Sequence, residues 1–362
     1  MAVLFAVTAV GVAWLWPGPG EAVEKRAWLD EGAQLVSGTL VAVYPDREEG
    51  QLDVLLDTGE TVIAQASSGV PSESMRPGDS VQLISFTDEA NPTAGSGYIF
   101  FDYHREWPMV ALAVLFIIVV LAVARLKGLL AVVGLAGALT MVWVFTLPAL
   151  TAGKNPLLVA LVTASSVLFI VIYLAHGVSV KSTTALLGTF AGIAVVTGLA
   201  WLAIGAAKLT PLVHEEMTEL TWAAPAADVN GVLLCGMVLA GVGVLNDVTI
   251  TQASAVWELR AAAPNDGRLE LFSRAMRIGR DHIASTVYTI AFAYVGTSLS
   301  LLAVASTLDF SLTSLLTFED IAEELIPTLV ASIGLVLAIP LTTGLGAWLA
   351  GRAAPAAETS AS

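Results

Sequence analysis

The sequence predicts a helical membrane protein of about eight transmembrane helices, with a small β-domain between the first and second of them. Of its 362 residues, 56% are hydrophobic and 13% are charged, against about 25% charged in soluble domains. Several apolar blocks exceed the roughly 18 residues that indicate a spanning helix, and short β-like runs separated by turn signals precede residue 104. These features exclude a soluble protein, a disordered chain and a transmembrane β-barrel.

The first apolar block, residues 2–16, ends at the sequence PGPG. Its length suits either a short spanning helix or the core of a signal peptide. A secretory signal has a basic start and a small-residue cleavage site, but the first basic residue here is Lys25 and no such site stands near residue 20. We therefore expect a retained N-terminal anchor over residues 1–24.

Residues 25–103 form the predicted extracytoplasmic β-domain. Five short β-like segments occur there, at 35–44, 51–56, 60–65, 80–86 and 97–103. The DTGE stretch at 57–60 predicts a tight hairpin in which Gly59 takes a positive φ, and RPGD at 76–79 predicts a second turn. Five strands in about 80 residues indicate a small barrel of the OB or SH3 kind, which we interpret as a structural cap or docking module.

The charge of this region argues against a nucleic-acid partner. Residues 21–106 hold 16 acidic and 5 basic residues, a net charge of −11 within a total of −15. Nucleic-acid binding needs the opposite sign. The single cysteine, Cys235, lies in an apolar run and is interpreted as a small apolar residue.

The membrane domain is predicted at residues 104–352, followed by a disordered tail at 353–362. Candidate spans after the first block lie at about 107–124, 128–148, 155–176, 182–206, 230–257, 282–306 and 326–350. Gly188 and Gly192 form a GxxxG pair, which favours close helix packing.

Basic residues in the connections predict the orientation, because Lys and Arg concentrate on the cytoplasmic side. If every predicted helix spans, one side holds the residues Arg125, Lys127, Lys181, Arg260, Arg268, Arg274, Arg277, Arg280 and Arg352. The acidic loops and the β-domain fall on the other side. Both termini are then cytoplasmic. The connection at 260–281 has Leu269, Phe272 and Met276 at helical spacing, which predicts an amphipathic helix on the inner membrane surface; a partner-binding helix is the alternative.

Asp247 is the strongest functional signal, because it lies about 17 residues into an apolar span. An aspartate at the bilayer centre costs about 2.5–3.5 kcal/mol on insertion scales, so such residues face a bundle interior or a water-filled cavity and indicate an ion or substrate path. At 100° per residue, one stripe of α-helix carries small residues followed by polar ones: Gly236, Ala240, Gly243, Asp247, Thr251, Ser254 and Glu258. We expect the small residues to pack against a neighbouring helix and the polar ones to line a cavity.

Thr249 and Gln252 point roughly the opposite way. Either they bond a second neighbouring helix, or the helix is locally unwound at Asn246 and Asp247, as in the broken helices of transporters. Further polar residues predicted to line the path lie on the next helix and on the last one: Asp281, His282, Ser285, Thr286, Thr289, Pro340, Thr342 and Thr343. Among these, His282 is a proton relay or an interfacial residue, and Pro340 is a simple kink or part of the cavity wall.

The block NGVLLCGMVLAGVGVLNDVTITQASAVWEL at 230–259, the basic connection after it and the helix DHIASTVYTIAFAYVG resemble the YibE/F-like family. The β-domain after one N-terminal helix, followed by seven more spans, resembles it too. The family is a bacterial multi-pass membrane group, so the resemblance implies the plasma membrane and this architecture. It leaves the substrate open.

The sequence favours a transporter or channel for a small solute or ion, coupled to protons or a cation through Asp247. A membrane sensor or partner subunit, whose outer β-domain binds an envelope component or a protein, is the alternative. An intramembrane aspartyl protease is a minor one, because Asp247 is expected to lie more than about 10 Å deeper than Asp281. We expect no enzyme activity, cofactor or metal site. The expected partners are the lipid bilayer and the solute, with a homo-oligomer or a membrane partner protein left open.

Overall fold

The computed structural model describes most of the chain. The described residues are 1–21, 23, 27–29, 32–44, 50–66, 75–86, 97–209, 215–308 and 311–351, without the side chains of residues 215, 216 and 312. The predicted tail at 353–362 lies outside them. The chain divides into two compact units, Glu24–Ala122 and the combination of Met1–Val23 with Val123–Ser362.

The described residues contain five strands and eleven α-helices, joined by turns and loops. The strands are β1 Ala33–Tyr44, β2 Gln51–Leu56, β3 Thr61–Gln65, β4 Ser80–Phe86 and β5 Gly97–Tyr103. The helices are α1 Ala2–Leu15, α2 Glu106–Met141, α3 Leu147–Thr151, α4 Pro156–His176, α5 Val180–Ala207, α6 Glu215–Ala223, α7 Val229–Ala262, α8 Arg268–Thr297, α9 Leu299–Ser306, α10 Leu312–Leu316 and α11 Glu319–Ala350. A π-helical turn, Val142–Thr146, joins α2 to α3.

The β-domain is a closed five-stranded barrel with the strand order β1-β2-β3-β5-β4, and β4 pairs back with β1. Neighbouring strands are antiparallel except for β3 and β5, which are parallel. The predicted hairpin at residues 57–60 joins β2 to β3, and Gly59 has a φ of 88°. The small barrel predicted between the first two helices is therefore confirmed.

Side chains that alternate along the strands fill the barrel. In β3, Val62 and Ala64 are buried while Thr61, Ile63 and Gln65 point outward. The enclosed core consists of Leu40, Leu52, Val54, Leu56, Val62, Ala64, Met75, Val81, Leu83 and Phe100. This alternation of period two is what a sheet with one solvated face requires.

Because the barrel is closed and has its own core, a fragment of residues 25–103 is expected to fold alone. Its far-ultraviolet circular dichroism should be that of a β protein with little helix, and it should unfold cooperatively. Leu83→Ala removes a fully buried side chain and should destabilise the fragment by about 2–5 kcal/mol. Exposed Thr58→Ala in the hairpin turn is the matched control. A random-coil spectrum of the unmutated fragment would contradict this prediction.

The centre of the helical unit is formed by α5, α7 and α11, which pack against one another. Around them, α4 packs on α7, α8 packs on α7 and α11, and α1 packs on α4. Glycines permit the close approach of the central helices. A Cβ at Gly192 of α5 would lie 2.9 Å from Leu245 of α7 and 3.1 Å from Ala338 of α11.

The first helix, α1, is tied to the rest of the helical unit by aromatic and ionic contacts. The rings of Phe5 and Phe169 meet edge to face with centroids 5.5 Å apart. Beyond the helix, the Lys154 ammonium lies 2.7 Å from the Glu21 carboxylate. The hydrogen bonds from Lys154 and from the Gly18 N–H hold the pKa of the Glu21 carboxyl below its usual value.

By length and composition, five helical stretches of the described chain could cross a membrane, and the bent pair α8–α9 would be a sixth. This count is lower than the eight predicted, for three physical reasons. With 14 residues, α1 is about 21 Å long, shorter than a hydrocarbon core of about 30 Å. The predicted spans 107–124 and 128–148 lie in one continuous stretch, Glu106–Thr151. The predicted span 282–306 bends by 66° between α8 and α9.

The long stretch Glu106–Thr151 has an internal break. Arg125 has φ 52° and ψ −132°, which are not helical values, so α2 consists of two helical segments on either side of it. At 46 residues, the stretch would measure about 69 Å if straight. That is more than twice the thickness of a hydrocarbon core.

The basic connection differs from its prediction. It is not a separate amphipathic helix ending at residue 281, because α8 runs without interruption from Arg268 to Thr297. Its buried face consists of Leu271, Ala275 and Gly279, whereas Leu269, predicted to be on the apolar face, is 86% exposed. Leu271 and Ala275 pack with Val256 of α7 and with Ala347 and Ala350 of α11.

Candidate functional site

The middle of α7 carries polar side chains in three directions. With 34 residues, the helix is about 51 Å long, and residues 246–252 lie near its midpoint. It is helical throughout, so the local unwinding considered at Asn246 and Asp247 is not found. The other alternative holds, since Thr249 and Gln252 do bond neighbouring elements.

On the inner side of α7, buried side chains link four helices. The hydroxyls of Thr249 and Thr189 in α5 lie 2.6 Å apart. The Gln252 amide donates to the Thr343 hydroxyl of α11 at 2.7 Å and to the Ala275 carbonyl of α8 at 2.9 Å. These bonds satisfy polar groups that burial would otherwise penalise.

Small residues at the same level let the helices approach. A Cβ at Gly188 of α5 would collide with the Thr342 side chain of α11. A Cβ at Gly279 of α8 would lie 2.6 Å from Ile339 and within 3.2 Å of the Gln252 amide. Gly188 and Gly192 thus occupy close helix contacts, as expected of the GxxxG pair, while the contact at Gly279 was not foreseen.

On the outer side of α7, Asp247 faces His282 of α8. The Asp247 Oδ2 and His282 Nε2 atoms are 3.9 Å apart. His282 lies at the level of Asp247, because α8 begins 14 residues earlier, at Arg268, and runs antiparallel to α7. Asp281 directly precedes His282, so the depth difference of more than about 10 Å expected between Asp247 and Asp281, which made the protease alternative a minor one, is not found.

Two buried polar atoms in this part of α7 and α8 have no hydrogen-bond partner among the described residues. They are the Nε2 atom of His282 and the Oδ1 atom of Asn246. A gap of 3.9 Å between the carboxylate and the imidazole is too long for a direct hydrogen bond. Buried polar groups in native proteins are almost always satisfied by protein, water or an ion. The arrangement is thus suited to hold a water, a hydrated proton or a small cation.

Asn246 also lines a cavity of about 420 Å³ between the second part of α2, α4 and α7. Its walls are mostly apolar, and His176 at the end of α4 is a second polar residue in the lining. Among the described residues, no group of three or more His, Cys, Asp or Glu side chains is placed to hold a metal ion.

The small-to-polar stripe of α7 does not face the interior of the chain. Asp247 has 70% of its side chain exposed, and the exposed residues of the stripe also include Gly236, Ala240, Gly243, Thr251 and Glu258. A Cβ at Gly236 or Gly243 would meet nothing within 4 Å in the described chain. The close packing against a neighbouring helix expected at Gly236 and Gly243 is therefore not found within the described chain. Gly243 borders the cavity that Asn246 lines, whereas Asp247, predicted to line a cavity within the bundle, lies on the outside.

The structure does not bring the other residues predicted to line an ion or substrate path together in one place. Thr251, Ser254, Thr286 and Thr289 bond backbone carbonyls of their own helices. Asp281 and Ser285 are exposed on α8. Pro340 lies within α11, with Thr342 and Thr343 fully buried beyond it on the inner side.

Comparison with known proteins gives one match. The family model described as "YibE/F-like protein" matches residues 112–352, which is two thirds of the chain and includes the whole of α7, α8 and α11. No curated protein and no solved structure matches.

Proposed function

The chain belongs to the YibE/F-like family, and from that multi-span membrane architecture we propose that it is a transporter or channel for a small solute or ion, coupled to protons or a cation through Asp247 and His282. The observation that carries the proposal is this acid–imidazole pair at the middle of two long helices, 3.9 Å apart. A lone carboxylate there is costly in lipid. Imidazole is the side chain that exchanges protons near neutral pH.

The buried hydrogen bonds on the inner side of α7 support the same proposal. Hydrogen bonds of Thr249 with Thr189 and of Gln252 with Thr343 join α7 to α5 and α11, and they lie within about one and a half turns of Asp247 on the same helix. Asn246, the residue before Asp247, has an Oδ1 atom without a hydrogen-bond partner among the described residues. An acid beside an imidazole is the kind of group that proton and cation paths in membranes use.

Transport is tested with the purified full-length chain in liposomes. Vesicles loaded with the pH dye pyranine, under an imposed potassium diffusion potential, report proton entry. Parallel vesicles with sodium, potassium or magnesium gradients and matching indicators report the other cations. We expect flux in at least one set above that of protein-free vesicles. Flux at the protein-free level in every set would contradict the proposed coupling to protons or a cation.

A sensor or partner subunit is the second candidate, favoured by the outer surface of the barrel. Val41, Leu55 and Ile63 project outward from β1, β2 and β3, and Ile63 is 62% exposed. Exposed apolar side chains on neighbouring strands are typical of protein-binding surfaces. Absence of flux, together with capture of the barrel by an envelope component, would favour this second function. We assign no catalytic residue.

We also propose an eight-span topology at the bacterial plasma membrane, with both termini cytoplasmic. In it the short helix α1 crosses with local thinning of the bilayer, and the stretch Glu106–Thr151 crosses twice and turns near Arg125. The break at that residue and the length of the stretch support two crossings. Arg125 and Lys127 beside the turn support a cytoplasmic location for it. The barrel is then extracytoplasmic and the start of α8 is cytoplasmic.

Single cysteines test this topology in a Cys235→Ala background. Thr58 in the β2–β3 turn and Ser273 in α8 are both exposed. In intact cells, an impermeant thiol reagent should label Thr58→Cys at least about tenfold more than Ser273→Cys, since a closed bilayer excludes charged reagents. Permeabilised cells, in which both sites should react, control for accessibility. Equal labelling of the two sites in intact cells would contradict the proposed orientation.

A further inference from the structure

The exposed face of α7 that carries Asp247 lies beside the outward side of α8. We name as the outer α7–α8 face the residues Gly236, Ala240, Gly243, Asp247, Thr251, His282 and Ser285. All of them except His282, which is a third exposed, are exposed in the described chain. In the described chain no atom lies within 4 Å of a Cβ added at Gly236 or Gly243, and Gly243 also borders the cavity of about 420 Å³ between the second part of α2, α4 and α7.

This face cannot be left to lipid without cost. Asp247 lies at the midpoint of a helix long enough to span, with most of its side chain exposed. Charged residues at that depth are buried against protein or line water. The face must therefore be covered by another polypeptide or border a water-filled space.

The shape of the face suits close contact with a helix. Gly236, Ala240 and Gly243 repeat at spacings of four and three residues, and the two glycines have open space where a Cβ would stand. Small residues at this spacing let helix backbones approach closely in membranes.

From this combination we propose that the outer α7–α8 face is the interface of a homodimer, covered by the same face of a second copy. The face carries the carboxylate of Asp247 and the imidazole of His282, and the exposed carboxylate of Asp281 lies about one turn from Ser285 on α8. In a two-fold arrangement the same patch meets itself, so Asp247 of each copy can face His282 and Ser285 of the other. The Ser285 hydroxyl is exposed on α8 and available for that contact.

Residues 108–124 of α2 are less suited than a second copy to cover the outer α7–α8 face. Residues 108–124 of α2 consist of Pro, Met, Val, Ala, Leu, Phe and Ile alone, and this part of α2 is exposed. Such a helix could fill the glycine groove but offers no side chain that hydrogen-bonds a carboxylate. A second copy supplies both the close-packing surface and the polar partners.

The oligomeric state tests this inference independently of transport. The full-length Thr58→Cys, Cys235→Ala protein, labelled with one fluorophore per chain, is placed in liposomes over a series of protein-to-lipid ratios, and bleaching steps are counted. We expect two-step traces at high density. The variant Gly236→Leu/Gly243→Leu should raise the dissociation constant by at least about tenfold, the effect of 1.4 kcal/mol.

The matched control is Gly198→Leu/Gly205→Leu in α5. These glycines also lie in a long apolar helix, and a Cβ added at either of them would also meet nothing within 4 Å, so this variant should dimerise like the parent protein. Equal melting temperatures of the two variants would show that the leucines leave the fold intact. Parent protein that bleaches in one step at every density, or a leucine variant on α7 that still dimerises, would overturn the inference.

A second measurement applies if the α7 variant fails to fold. Gly243→Cys in the Cys235→Ala background is oxidised in membranes, and covalent dimers are expected because the residue lies along the proposed two-fold contact. Gly198→Cys should stay monomeric. Failure of Gly243→Cys to cross-link would count against the dimer. Since neither readout involves flux, a transport-active monomer or an inactive dimer would separate this inference from the proposed function.

Discussion

Asp247→Asn is expected to reduce coupled flux by at least about tenfold, the change that 1.36 kcal/mol produces in a rate, while the protein still folds and inserts. Asparagine keeps the shape of aspartate and its ability to accept a hydrogen bond. It removes the negative charge and the exchangeable carboxyl proton. If Asp247 carries a proton or binds a cation opposite His282, the loss follows directly from that chemistry.

The measurement is flux in the liposome assay above, with expression and melting temperature recorded for each variant. Thr251→Val is the matched control on the same stripe, because the Thr251 hydroxyl bonds only the backbone of its own helix among the described residues. It should retain flux, and Asp247→Glu should retain part of it. If Asp247 serves packing alone, Asn should cost no more than an average interhelical hydrogen bond, about 0.6 kcal/mol. Full flux in the Asp247→Asn protein would contradict the proposed role of Asp247 in coupling.

Gly188→Ala is expected to destabilise the helical unit. The added Cβ would collide with the Thr342 hydroxyl and lie 2.9 Å from the Thr342 Cβ. Both residues are buried in contacts between α5 and α11, so the helices must separate. Overpacking of this kind costs about 1–3 kcal/mol, which outweighs the roughly 0.5–1 kcal/mol that alanine typically gains over glycine in a helix.

The melting temperature of the purified protein, followed by tryptophan fluorescence, measures this loss. Gly198→Ala on the same helix is the control, since its Cβ would meet nothing within 4 Å, and it should be neutral or slightly stabilising. Adding Thr342→Ala to Gly188→Ala should recover part of the loss. The Thr342 hydroxyl has no hydrogen-bond partner among the described residues, so its removal costs little by itself. A Gly188→Ala protein as stable as Gly198→Ala would contradict the close contact.

The β-barrel was predictable because its signals are local. Alternation along β2, β3 and β4, and turn residues such as Gly59 and Gly78, placed the strands to within two residues. The order in which β5 inserts between β3 and β4 depends on contacts between distant segments. Strand patterns alone carry no information on that order.

The membrane part was predictable in class but less so in its helix boundaries. Hydropathy and the basic residues Arg125 and Lys127 placed a break between the predicted spans 107–124 and 128–148, and Arg125 has non-helical backbone angles there. The bend between α8 and α9 was not foreseen. A helix was predicted in the basic connection, but not its continuity with the following span. The burial of Leu271 and Ala275 against α7 and α11 is a tertiary contact that a basic, polar stretch does not reveal.

For the candidate site, the sequence identified Asp247 but assigned the wrong side of α7 to the interior. Both sides of this helix carry small and polar residues, so periodicity defines two faces without saying which is buried. The buried one is marked by Thr249 and Gln252, whose partners Thr189 and Thr343 lie 60 and 91 residues away in the chain. Pairings at such separations require the packed structure.

The closure of the barrel limits how this domain can recognise anything. A strand that ends a sheet exposes a row of unpaired N–H and C=O groups, and extended peptides bind such rows by adding a strand. Here β1 pairs with both β2 and β4, and β5 with both β3 and β4, so the ring of strands has no free edge in its paired region. Recognition by this domain must therefore rely on side chains of its outer surface and loops, which makes its specificity a matter of shape and surface chemistry rather than of backbone pairing.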